Sequence, residues 1–147
     1  MKPNLEDALL FAAQKHRGQT DKSGQPYIFH PIRVMENLGT GASDEERMAA
    51  LLHDVVEDCG VSLDDLRRAG FPAPVVEAVD FLTKTPEGER DYQFAIERAA
   101  QNPIARRVKL ADLKDNSCRE RLGEAVTREG EERLAKYHRA RVFLETL

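Results

Sequence analysis

Cysteine is scarce: Cys59 and Cys118 are the only two in 147 residues. They form neither a C-x-x-C zinc pair nor a disulfide framework, and they read as packing residues in a reducing compartment. Positive charge is not in excess either, since 22 Lys and Arg stand against 26 Asp and Glu, a formal net charge of −4. That balance excludes the basic footprint that holds a nucleic-acid duplex, while a local basic patch for a small anion is still allowed. No apolar run approaches the roughly 20 residues of a membrane-spanning helix. A secretory leader is not expected, because MKPNLEDALLFAAQKH places Glu6 and Asp7 where an apolar segment is required. Strand-like alternation is poor throughout. These absences predict a cytoplasmic protein with no duplex or membrane partner.

What is present suits a compact helical domain. Hydrophobic residues make up 41% and charged residues 33%, which is ordinary globular composition and not that of a disordered chain. The length fits one domain over residues 1–147, long enough to bury a core without staples. Leu5, Ala8, Leu9, Ala12 and Ala13 recur at helical spacing behind a capping Asn4. Gly18, Gly24 and Pro26 make residues 17 to 29 the longest loop. A second helix is expected at HPIRVMENL, with Pro31 in its first turn and Gly39 at its exit. Ser43 and Glu46 form a capping-box pattern that opens one helix running to Gly60. Ser62 caps LDDLRRAG, and further helices are expected in PAPVVEAVDFLTK, DYQFAIERAAQ and IARRVKLADLKDNSCRERL. The last runs from about Thr127, with Leu134, Tyr137, Ala140, Arg141 and Leu144 on one side. The class is all-α.

The stretch AALLHDVVED, Ala49 to Asp58, is out of place in such a core. A histidine and three carboxylates follow four apolar residues, and such groups are seldom buried unless they are paired or hold a metal. His30, His53, Asp54 and Asp112 together make a mixed nitrogen and oxygen set that suits manganese, iron, magnesium or zinc. Adjacent residues of a helix point about 100° apart, so His53 and Asp54 share an ion only at a helix edge facing a cavity. Taken singly, each residue has a plainer use: a buried histidine as a hydrogen-bonded core residue, Asp112 as a cap or a partner of Lys109 or Arg106. His16 and His138 are read as packing or surface residues. Glu57 and Asp58 could close a helix end, although the helix dipole opposes carboxylates there.

The motifs HPIRV, ALLHDVVED and VKLADLKDN, preceded by GQTDKSGQPYIFHP, resemble the hydrolase half of the RelA/SpoT family, most of all its small single-domain alarmone hydrolases of the HD superfamily. The resemblance runs from about Leu5 to Leu122. It implies an all-α HD-domain bundle in which one divalent ion, manganese in that family, is held by His30, His53, Asp54 and Asp112. It further implies removal of the 3′-pyrophosphate of ppGpp or pppGpp, with Glu57 and Asp58 as the catalytic acidic pair and Lys22, Ser23 and Asn116 as nucleotide contacts. Glu57, one turn beyond His53, is then placed to orient an attacking water. Arg17 and Lys84 are weaker candidates, read as surface charges by default.

Two departures from the family pattern bear on the substrate. Asp21 stands where the family carries a basic residue near the purine, and an acid there would repel polyphosphate. Asp115 lies beside Asn116 in place of the commoner basic and aromatic run. The chain has no room for a synthetase domain and is expected to degrade its nucleotide without making it. Two alternatives stay open: a phosphatase acting on another phosphorylated nucleotide, such as NADPH or a nucleoside monophosphate, and a non-catalytic nucleotide sensor.

Overall fold

The computed structural model describes residues 2–122 and 127–147. Its helices, in chain order, are α1 (Leu5–Lys15), α2 (Phe29–Asn37), α3 (Asp44–Leu52), α4 (Val55–Asp58) and α5 (Leu63–Arg68). They continue with α6 (Ala73–Leu82), α7 (Pro86–Arg90), α8 (Tyr92–Ala100), α9 (Pro103–Leu122) and α10 (Arg128–Glu145). Among the described residues the only β pairing is a single bridge between Thr20 and Pro26. The all-α expectation is met.

Local chemistry starts most of these helices. Asn4 with Asp7, Ser43 with Glu46, and Ser62 with Asp65 each close a capping box, satisfying amides that the first helical turn leaves without partners. Thr127, at the expected start of the last helix, caps α10. Gly39 follows α2 at φ +86, a left-handed conformation that glycine adopts without strain. A short helix that the sequence pattern did not announce, α7, begins at Pro86 behind a capping Thr85.

Helix α3 is the hub, packed against α1, α2, α6 and α9. Ala49, Ala50, Leu51 and Leu52 are consecutive and all buried, the mark of a helix enclosed on every side. Each buried leucine contributes about 1.5–3 kcal/mol relative to an exposed one. Val34, Val75, Val79 and Val108 complete this main core. A smaller cluster of Ile96, Leu113, Ala140 and Leu144 joins α8 and α10 to the other side of α9. Helix α9 thus serves both cores, and its register is held from two directions.

The helix expected to run unbroken to Gly60 is in fact two. α3 stops at Leu52, His53 and Asp54 form a turn, and α4 resumes at Val55. Asp54 sits at φ −106, ψ −4, off helical values. His53 and Glu57 therefore do not share one continuous helix. The physical consequence of the break is that two neighbouring side chains, which a continuous helix would splay apart, converge.

Candidate active site

Three segments meet at one buried point. His30 comes from the first turn of α2, His53 and Asp54 from the turn after α3, and Asp112 from the middle of α9. His30, His53 and Asp112 are each only 5–6% exposed. Ligand atoms of His30, His53 and Asp54 all lie within 4.8 Å of one another. His53 Nε2 stands 3.0 Å from Asp54 Oδ2 and 3.5 Å from Asp112 Oδ1. His30 Nε2 stands 2.9 Å from Asp112 Oδ1 and 3.8 Å from Asp54 Oδ2. Two imidazole nitrogens and two carboxylates therefore face a common centre.

The donor set fits a divalent ion. The Nδ1 of His53 donates to the Ala50 carbonyl at 2.6 Å, which turns Nε2 inward. That Nε2 is buried and has no hydrogen-bond partner of good geometry, an arrangement a cation resolves. Tyr27 adds a hydroxyl that donates to Asp54 Oδ2 at 2.6 Å. Asp112 divides its oxygens: Oδ2 accepts from Lys109 at 3.0 Å, while Oδ1 faces the imidazoles and accepts from Asn116 at 3.3 Å. The plain pairing of Asp112 with Lys109 and the placement at the site coexist.

Electrostatics say what occupies the centre when no ion does. Burial opposes charge on both rings, yet Asp54 and Asp112 raise His53 well above the ordinary histidine value, and bonds to Asp112 and Asp115 raise His30. Burial would raise Asp54, but the His53 charge holds it down to about 2. Asp112 is likewise held well below the usual carboxylate range against burial, first by Lys109 and then by the imidazoles. The carboxylates thus favour protons on the imidazoles, and an ion that binds neutral imidazole nitrogens competes with those protons.

The acidic pair lies just outside. Burial, followed by the charges of Asp54 and Glu57, pushes Asp58 up to about 6. Glu57 Oε1 accepts the Lys84 amide at 2.9 Å. Of the nucleotide-contact residues, Asn116 touches Asp112, Lys22 is exposed on the loop, and Ser23 is engaged in holding the loop. Asp21 departs from the expectation of a repelling acid. Arg119 pairs with it at 2.7 Å and donates to Ser23 Oγ at 2.8 Å, while the Ser23 and Gln25 amides donate to the same carboxylate. The charge is spent inside the loop.

Sequence reasoning missed a basic wall beside the site. Lys136 lies 4.3 Å from the centre of the Tyr92 ring and 5.6 Å from that of Tyr137. Burial and then the charges of Lys84, Lys109 and Arg133 lower its pKa, so four cations share one neighbourhood. They come from three segments: Lys84 after α6, Lys109 on α9, and Arg133 with Lys136 three residues apart on α10; only that last pair is linked by sequence spacing. His16 is buried as a packing residue, its Nδ1 bonded to Gln19 at 2.8 Å, and His138 is on the surface.

The chain matches the family model described as HD domain over residues 8–119. It is 39% identical over 112 residues to the guanosine-3′,5′-bis(diphosphate) 3′-pyrophosphohydrolase of Vibrio cholerae, covering 76% of this chain and 15% of that protein. The corresponding enzyme of Danio rerio is 38% identical over 116 residues, covering 74% of this chain and 64% of the relative. The chain spans only 15%, 17% and 14% of the length of the Vibrio cholerae, Aquifex aeolicus and Streptomyces coelicolor relatives. A solved structure described as a metazoan ortholog of SpoT that hydrolyses ppGpp superposes with a TM-score of 0.81 at 30% identity, covering 98% of this chain and 87% of that one. With an HD-domain match over most of its length and this likeness in three dimensions, the chain belongs to the HD domain family, in its RelA/SpoT-type branch.

Proposed function

We propose that this chain is a divalent-metal-dependent hydrolase that removes the 3′-pyrophosphate of ppGpp or pppGpp, acting as one HD-type domain. The observation that carries the proposal is the buried convergence of His30, His53, Asp54 and Asp112 around an imidazole nitrogen that has no hydrogen-bond partner of good geometry. Those four residues would hold the ion, and manganese suits a set of two imidazoles and two carboxylates. Such an ion supplies Lewis-acid stabilisation of phosphoryl charge. The names of the relatives, guanosine-3′,5′-bis(diphosphate) 3′-pyrophosphohydrolases, support the substrate class.

The chain's own groups supply the rest. Hydrolysis adds water to the phosphorus on the ribose 3′-oxygen, breaks that P–O bond, and returns a proton to the departing oxygen. Asp58, at about 6, can hold or release a proton near neutrality. Glu57 stands next to it as the group that orients the water. Lys84 and Lys136 offer positive charge to a diphosphate, while Lys109 and Arg133 are paired with Asp112 and Glu120. Lys22 and Asn116 serve as nucleotide contacts at the mouth, and Ser23 supports the loop that carries Lys22.

The deciding experiment combines an ion titration with a nucleotide panel of ppGpp, pppGpp, NADPH and GMP. The expected result is manganese-dependent release of pyrophosphate from the first two, lost together with ion content in His53→Ala. Phosphate release from NADPH alone would replace the substrate. Tight nucleotide binding without turnover, in protein that holds its ion, would make the chain a sensor.

A further inference from the structure

We infer that Asp115, gripped by Arg33, positions His30 by accepting a hydrogen bond from its Nδ1–H and so aims Nε2 at the metal centre. The inference rests on the proposed centre and adds a residue to it. His30 and Arg33 are three residues apart on α2, and Asp112 and Asp115 are three apart on α9, so each pair lies on one helix face. The two helices pack together. The His30 ring is thereby clasped at both nitrogens: Nδ1 lies 2.7 Å from Asp115 Oδ2, and Nε2 lies 2.9 Å from Asp112 Oδ1. Arg33 closes on the outer side of Asp115, with Nε donating to Oδ1 at 2.7 Å and Nη2 to Oδ2 at 3.2 Å.

Asp115 is 5% exposed, and a carboxylate so enclosed must be compensated by partners. Those partners are His30 and a two-point guanidinium contact, which fixes the orientation of the carboxylate as a single contact would not. His53 receives the equivalent hold from a backbone carbonyl. The two rings are therefore held differently. A carboxylate partner makes an imidazole a stronger ligand than a neutral carbonyl does, and loss of such a partner typically weakens metal affinity about 10–100-fold. The competing explanation is that Asp115 and Arg33 form only an inter-helix ion pair.

The test uses the whole chain as wild type, Asp115→Asn and Arg33→Met. The His30 Nδ1 proton is followed by nitrogen-15 NMR in ion-free protein, and manganese affinity is measured by calorimetry. We expect the wild-type Nδ1 proton to be protected and shifted downfield, and that signature to be lost in Asp115→Asn. Affinity should fall about 10–100-fold. Arg33→Met, which leaves the carboxylate in place without its grip, should move both readouts less and in the same direction, and it keeps the test open should Asp115→Asn not fold. Folded Asp115→Asn with an unchanged ring proton or unchanged affinity would overturn the inference. Wild-type protein that binds no ion would remove the metal centre instead, and the ring proton would still decide whether Asp115 holds His30.

Discussion

Glu57 offers Oε1 to the Lys84 amide, and a glutamine at the same place can accept that bond equally well. Glu57→Gln therefore removes charge and proton-handling capacity without releasing the segment ahead of α7. Loss of a positioned acid/base group costs about 100- to 10,000-fold in rate, and we expect a fall of that size in steady-state turnover of ppGpp. Ion content and thermal midpoint should not change, since Glu57 is exposed and lies outside the group of ligand atoms. Normal turnover would leave Glu57 as an anchor for Lys84 and nothing more. At this scale the sequence was legible in residue type but not in partnership. Asp21 read as a free acid facing the nucleotide, and only the approach of Arg119, nearly a hundred positions away, neutralises it. Asp115 read as a departure beside Asn116, yet it is buried against His30.

The helix that brings His53 and Asp54 to the centre begins with a capping box at Ser43 and Glu46, one helix length away. Ser43→Ala should cost about 0.5–2 kcal/mol, the usual value of such a cap, seen as a lower thermal midpoint. Ion affinity should hold, because the cap acts on the first turn and the ligands follow the last. A parallel loss of affinity would mean that the end of α3 is set by its beginning and not by the surrounding core. Helix α9 is the second element that matters. Asp112, Asp115, Asn116 and Arg119 follow at spacings of three, one and three, a single stripe along the helix. That stripe meets the imidazoles, Arg33 and the loop in turn. Capping patterns and periodicity made both helices readable, while the break at His53 and Asp54 has no glycine or proline to announce it.

For the molecule as a whole, the centre couples stability to pH and to the ion. In ion-free protein His30 and His53 hold protons more tightly than free histidine. Their contribution is complete below about pH 6.5, the unfolded value, and is lost as pH rises through the higher folded values. Asp54 and Asp112 act in the opposite sense, their contribution being present above about pH 4 and lost as pH falls through their depressed folded values. Manganese replaces the imidazole protons, so its stabilising effect should grow with pH. We expect saturating manganese to raise the thermal midpoint more at about pH 8 than at about pH 6, with chelation reversing the gain. A shift of equal size at both would count against histidine ligation.

The sequence by itself determined the class, the caps and the identity of the chemical groups, because these depend on composition, short-range periodicity and side-chain hydrogen bonds within one helical turn. Asn4, Ser43 and Ser62 cap as their positions predict, and among the described residues no helix is long and apolar enough to cross a membrane. The tertiary structure alone decided what those groups face. It broke α3 so that adjacent ligands converge, paired Asp21 with Arg119, and brought Lys84 and Lys109 to the Arg133 and Lys136 pair of α10. Each of these depends on which helices pack against which, and that is settled by the fit of the two cores around α3 and α9 and not by any local run of residues.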